Sequence, residues 1–136
     1  MCDCCTRTVV QSDKAPKAIG PYSVGIIAGQ FVYTAGQIGL NPESGAVVEG
    51  GVQAETRQAL LNLKNILEAA GTTLGNVVKT TVFLRDMNDF TAMNGVYSEF
   101  FTENPPARSA VQVAALPRTA AVEIEAVALV PCKEEK

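Results

Sequence analysis

The chain contains no histidine and no tryptophan, and it holds no glycine-rich phosphate loop. Any chemistry it performs must rest mainly on arginine, carboxylates and backbone amides. Aromatic residues make up only 6% of the sequence, which argues against an open sugar cleft with aromatic walls. Lys and Arg number 11 against 14 Asp and Glu, mostly scattered, for a net charge of −3. The basic face of a nucleic-acid binder is missing. No apolar run approaches the roughly 18–20 residues that cross a bilayer. Met1-Cys2-Asp3-Cys4-Cys5 has neither the basic-then-apolar order of a signal peptide nor a myristoylation start. A cytoplasmic location is the expectation.

Three of the four cysteines, Cys2, Cys4 and Cys5, crowd at one end, with Cys132 near the other. A thiolate metal site or a disulfide joining the termini is one reading. Cys-x-Cys-Cys lacks the C-x2-C pairs of zinc sites, and there is no histidine to complete them. Free thiols on a flexible terminus in a reducing cytosol is the reading adopted.

What is present describes an ordered globular chain: 136 residues, 47% hydrophobic and 18% charged. That length is expected to form one domain, residues 1–136, with 1–7 a flexible cysteine-bearing tail and 133–136 a short charged one. Thr8–Val10, Val24–Ala28 and Phe31–Ile38 read as strands, the last two forming a hairpin around Gly29-Gln30. Val47-Val48 is a candidate edge piece. Gly51–Ala70 is the clearest helix, with Val52, Thr56, Ala59, Leu60, Leu63, Leu67 and Ala70 along one stripe. Asn76–Leu84 is a strand with Val78, Thr80, Val82 and Leu84 on one face and Val77, Lys79, Thr81 and Phe83 on the other.

A second helix is expected from an N-cap at Asn88 or Asp89 to Phe101, striped by Phe90, Met93, Asn94, Tyr97 and Phe101. Pro105-Pro106 forces an extended connection, followed by strands at Arg108–Ala114 and Ala121–Val130. The order β-β-β-α-β-α-β-β favours an α+β fold with both helices on one face of the sheet. The opposite face, carrying Phe83, Val127 and Leu129, then needs either water or another subunit, and coverage by oligomerisation is favoured.

Several residues sit oddly in a plain core. Asn94 lies on an apolar helical stripe, where a buried amide needs partners or costs roughly 1–3 kcal/mol; tying the helix to a neighbouring backbone and lining a pocket are equal alternatives. Glu123 and Glu125 share one strand face, about 6.5 Å apart. They suit an ion pair with Arg118 or Arg108 at a subunit edge, or a two-carboxylate site. Arg108, stiffened by two preceding prolines, fits bidentate capture of a carboxylate or a structural salt bridge. Gly36, inside a strand-like run, marks a bulge, a close approach of ligand to backbone, or packing under a helix. Tyr22 is a lid aromatic or a loop anchor.

Taken in order, Ala18-Ile19-Gly20-Pro21-Tyr22-Ser23, Ala35-Gly36-Gln37-Ile38, Asn76-Val77-Val78-Lys79-Thr80-Thr81-Val82, Asn88-Asp89-Phe90, Pro106-Ala107-Arg108-Ser109 and Ile124-Glu125-Ala126 resemble the RidA (YjgF) family of reactive-intermediate deaminases. The resemblance runs from about residue 8 to 131. It implies a chorismate-mutase-like α+β fold, a homotrimer with a central barrel, and pockets at the subunit interfaces. It also implies hydrolysis of 2-iminobutanoate and 2-iminopropanoate, imines or enamines released by pyridoxal-phosphate dehydratases, to 2-oxo acids and ammonia. By the same resemblance, this would protect pyridoxal-phosphate enzymes and require no cofactor or metal.

Carried over, the resemblance makes Arg108 the grip on the substrate carboxylate, aided by backbone N–H groups of Gly36 and Ala110. Glu123 handles the attacking water and protons, and Tyr22, Phe90 and Asn94 line the pocket. Ala35 and Ala110 depart from relatives that carry serine and cysteine there, which puts a hydroxyl-dependent role at position 35 in doubt. Ribonuclease or translation-inhibitor action, and non-catalytic service as a small-carboxylate binder or holdase, are the alternatives.

Overall fold

The computed structural model describes residues 5–132. Seven strands form one mixed sheet: β1 (Arg7–Val10), β2 (Gly25–Ala28), β3 (Phe31–Thr34), β4 (Gln37–Ile38), β5 (Val77–Leu84), β6 (Ala107–Gln112) and β7 (Val122–Leu129). Their order is β1-β2-β3-β7-β5-β6, with β4 pairing β7 beyond the end of β3. The β5–β6 pair is parallel and the others are antiparallel. Two helices, α1 (Gly51–Ala69) and α2 (Phe90–Phe100), complete the α+β architecture. Arg7, expected in the tail, already pairs with Ala28. Cys2 and Cys4 lie outside the described residues, and Cys5 and Cys132 are exposed thiols.

Alternation along the strands decides what meets the helices. Val122, Ile124, Ala126 and Ala128 of β7, with Thr80, Val82 and Leu84 of β5, are buried beneath Leu60, Leu63, Ile66 and Leu67 of α1 and Met93 and Tyr97 of α2. Leu63 is fully buried at the centre of this layer. Leu63→Ala is expected to cost about 2–5 kcal/mol through lost burial and the cavity left behind. Chemical denaturation would read this as a lower midpoint at unchanged slope.

Three local readings change. The run Phe31–Ile38 breaks, because Tyr33 opposes Val127 whereas Gln37 opposes Ile124. Four steps on one side therefore match three on the other, and the extra residue bulges the chain at Ala35-Gly36. A second bulge lies between Val77 and Lys79. It turns Val77 into the core and Val78 outward, the reverse of simple alternation. The start of α2 is a short 3-10 turn, Met87–Asp89. Asp86 caps this turn, its Oδ1 accepting the Asn88 N–H at 2.9 Å; α2 itself has Asp89 at its N-cap, one of the two expected positions, without a side-chain cap hydrogen bond.

The other sheet face carries no helix. Val9 (49% exposed), Tyr33 (48%), Val111 (42%) and Leu129 (41%) stand on it as large exposed apolar side chains.

Candidate functional site

Arg108 is the second residue of β6 and is paired with Thr80 of β5, which in turn opposes Ala126. This register turns its side chain to the helix-bearing face. There Nη1 donates to Asn94 Oδ1 at 2.6 Å. The guanidinium carbon lies 4.8 Å from the centre of the Tyr97 ring and 5.4 Å from that of Phe90. Asn94, the apparent misfit on α2, thus serves another side chain rather than a neighbouring backbone. Ala110, two residues beyond Arg108, shares its face and opposes Val82.

Tyr97 is a participant that sequence reading placed only in the core. Its hydroxyl meets Thr80 Oγ1 at 2.7 Å, fixing the ring under Arg108. Burial raises its pKa above the ordinary phenol value, against lowering contributions from the Thr80 hydrogen bond and the Arg108 charge. It remains a neutral phenol whose face attracts the cation. The available signal was its spacing: Phe90, Asn94 and Tyr97 lie at steps of four and three along one helical face.

Glu123 points the other way. It opposes Phe83 on β5 and Ile38 on β4, one residue out of phase with the buried Val122 and Ile124. Its carboxyl lies flat against the Gly36 bulge: a Cβ at Gly36 would sit 2.7 Å from Cδ and Oε2. Only the missing side chain permits that approach. Around it is a small cleft of about 100 Å³, lined among others by Tyr22, Gly36, Ile38, Arg118 and Glu123. Tyr22 is half exposed and also borders a larger neighbouring cleft.

Among the described residues neither glutamate forms an ion pair with Arg108 or Arg118. Arg118 Nη1 donates instead to the Gly45 carbonyl at 2.6 Å. The Glu123 pKa is raised above the ordinary carboxylate value, first by partial burial and then by the charge of Glu125 on the same face. Titration of carbon-labelled carboxyl groups should place the Glu123 midpoint above the usual ~4.3. Glu125→Gln should move that midpoint down without abolishing the shift, because burial persists. An unmoved midpoint would contradict the repulsion.

The candidate residues thus fall into two groups on one chain: Arg108, Asn94, Phe90 and Ala110 with Tyr97 on the helix face, and Glu123, Gly36 and Tyr22 on or beside the bare face. The first presents a buttressed planar cation suited to a carboxylate. The second presents a carboxyl group whose proton affinity is raised, as acid–base work requires. Among the described residues no cluster of potential metal ligands is found.

In this mixed-sheet α+β fold an anchored arginine and a partly buried glutamate are groups suited to a small anionic molecule. The model of the endoribonuclease L-PSP family matches residues 12–130, and the chain belongs to this family, the RidA (YjgF) family. It is 53% identical over 123 residues to the human 2-iminobutanoate/2-iminopropanoate deaminase, covering 90% of each chain. RidA from an Antarctic Psychrobacter species superimposes with a TM-score of 0.87 at 45% identity, covering 90% of this chain and 99% of that one. E. coli TdcF, solved with bound serine, gives 0.86 at 44% identity, covering 90% and 98%.

Proposed function

We propose that the protein hydrolyses small 2-imino acids and their enamine forms, such as 2-iminobutanoate and 2-iminopropanoate, to 2-oxo acids and ammonia. The observation that carries this reading is the Arg108 guanidinium, fixed by Asn94 and two aromatic rings on a stiff strand. The human relative's name and the serine bound by E. coli TdcF support it. Serine, like the proposed substrates, carries a carboxylate next to a carbon bearing nitrogen.

A protonated imine is already electrophilic, so the protein's task is to orient it, deliver water and move protons. Arg108 binds the carboxylate. Glu123 accepts a proton from water as the oxygen bonds to C2. Returned to the carbinolamine nitrogen, that proton makes ammonia the leaving group; as the C–N bond breaks, the hydroxyl proton passes to the Glu123 carboxylate, leaving the 2-oxo acid. Gly36 and Ala110 supply backbone N–H groups to the carboxylate, while Tyr22 and Phe90 wall the pocket. No metal or cofactor enters the scheme.

Because Arg108 and Glu123 face opposite sides of one sheet, a substrate touching both needs two chains. The proposed assembly is a homotrimer of single-domain chains in the chorismate-mutase-like arrangement. Bare sheet faces meet in a central barrel, and each interface joins Arg108 of one chain to Glu123 of the next. Val9, Tyr33, Val111 and Leu129, exposed on that face, support burial between subunits. Among the described residues no helix is long and apolar enough to cross a membrane. Action in the cytoplasm, on imines shed by pyridoxal-phosphate dehydratases, completes the proposal.

Endoribonuclease action, which the family model's name raises, is less favoured. The chain lacks histidine to activate a ribose hydroxyl, and its charge of −3 gives no track for phosphates. An RNA affinity falling steeply with salt would favour it. The direct test couples the protein to a threonine dehydratase in the presence of a competing imine trap. Faster release of 2-oxobutanoate is expected; an unchanged rate would overturn the reading.

A further inference from the structure

Against β4 and the start of β7, α1 presents buried polar side chains that the proposed chemistry does not use. Glu55 and Asn62 of α1 are buried, at 7% and 0% exposure. A carboxylate placed so deeply is costly unless a donor needs it. Glu55 Oε1 accepts the N–H of Ala121 at 2.8 Å, two residues before Glu123. The carbonyl of Ala121 accepts the Arg85 N–H at 3.0 Å, so both backbone groups of this buried residue are tied. The cost of leaving that N–H without an acceptor gives Glu55 its place.

Asn62 does the same for β4. Its Nδ2 donates to the carbonyls of Leu40 (2.9 Å) and Ile38 (3.3 Å), while its Oδ1 accepts from Gln58 Nε2 at 2.9 Å. Ile38 is the residue opposite Glu123. Between the two contacts Gly39 lies directly on α1: a Cβ there would come 2.6 Å from Glu55 Cα and 2.7 Å from its carbonyl oxygen. About two turns of α1 thereby hold β4, which pairs with the strand at Glu123, and the residues that lead into β7, which carries Glu123; the Gly36 bulge lies immediately before β4.

We propose that Glu55 and Asn62 are positioning residues for Glu123: a buried polar clamp from α1 sets β4 and the first residues of β7 so that the Glu123 carboxyl lies on Gly36. The proposal rests on the deaminase reading for its kinetic consequence, and its geometry is testable without turnover. Glu55 touches no reacting atom and acts through the Ala121 N–H.

The experiment compares Glu55→Gln, which keeps an acceptor oxygen, with Glu55→Met, which keeps the volume and removes the acceptor. Glu55→Gln should retain parental kcat and KM. Glu55→Met should lose roughly 10- to 100-fold in kcat with KM changed little, the scale expected when a reacting group shifts by about an ångström. In the substrate-free protein, the carboxyl resonance of Glu123 and its titration midpoint should move in Glu55→Met and stay parental in Glu55→Gln. Should Glu55→Met fail to fold, Glu55→Leu, which also removes the acceptor while filling most of the space, is measured in its place with the same expectation.

A folded, acceptor-free variant with parental kcat and an unmoved Glu123 resonance would overturn the clamp. Equal damage in Glu55→Gln would overturn it as well, because the charge rather than the acceptor would then matter. Failure of the deaminase reading is distinguished by full activity in Glu123→Gln, or by no activity in the parent, and neither result alters the resonance comparison.

Discussion

Arg108→Ala abolishes measurable acceleration of 2-oxobutanoate release in the coupled assay, with kcat/KM down by at least about 100-fold. Removing a preorganised guanidinium from a carboxylate forfeits charge-assisted, paired hydrogen bonds and leaves the substrate's charge poorly compensated, a loss of about 2–5 kcal/mol. The fold should survive. Arg108 is half-buried on β6, an edge strand of the sheet, and the Tyr97 beneath it keeps its own hydrogen bond to Thr80. Arg108→Lys should restore little, because an ammonium cannot present the planar fork or lie over two rings as a guanidinium does. Parental rates in Arg108→Ala at unchanged assembly would remove the anchor from the account.

Gly36→Ala is the second large effect. The added methyl group would lie 2.7 Å from Glu123 Cδ and Oε2. The colliding atoms belong to the end of a flexible side chain, so the carboxyl rotates away and the backbone stays. The expected result is a folded protein with kcat lowered by roughly 10- to 100-fold, since a displaced base loses its approach to the water. The effect should not multiply with that of Glu123→Gln, because both substitutions act at one group. A double variant no worse than the poorer single one supports this, whereas fully multiplied losses would place the role of Gly36 elsewhere.

Much of the fold was legible because periodicity is local. The stripe through Ala59, Leu60, Leu63 and Leu67 defines α1, and the valine-rich run to Leu84 defines β5, each within a residue or two of its observed ends. The bulges at Ala35-Gly36 and at Val78 were not fully legible. Each exists only relative to the partner strand, although the glycine itself flagged the first. Glu55 and Asn62 were passed over for a similar reason. Their partners are the backbone groups of Ala121, Ile38 and Leu40, brought to α1 by tertiary packing.

The site divides in the same way. Alternation shows that Glu123 and Glu125 share a face, but not whether that face meets the helices. Only the register through Thr80 and Ala126 shows that Arg108 faces the opposite side. The preference for Glu123 over Glu125 came from resemblance. The structure adds that the Glu123 carboxyl lies against Gly36.

The central claim is that Arg108 and Glu123 from different chains act on one substrate molecule. Arg108→Ala and Glu123→Gln chains, each inactive alone, are co-expressed with different affinity tags and purified through both. In a cyclic trimer containing both chains, one interface joins an intact Arg108 to an intact Glu123, so turnover should recover to about one third of the parental rate. Mixed assemblies as inactive as either variant alone would contradict the shared site.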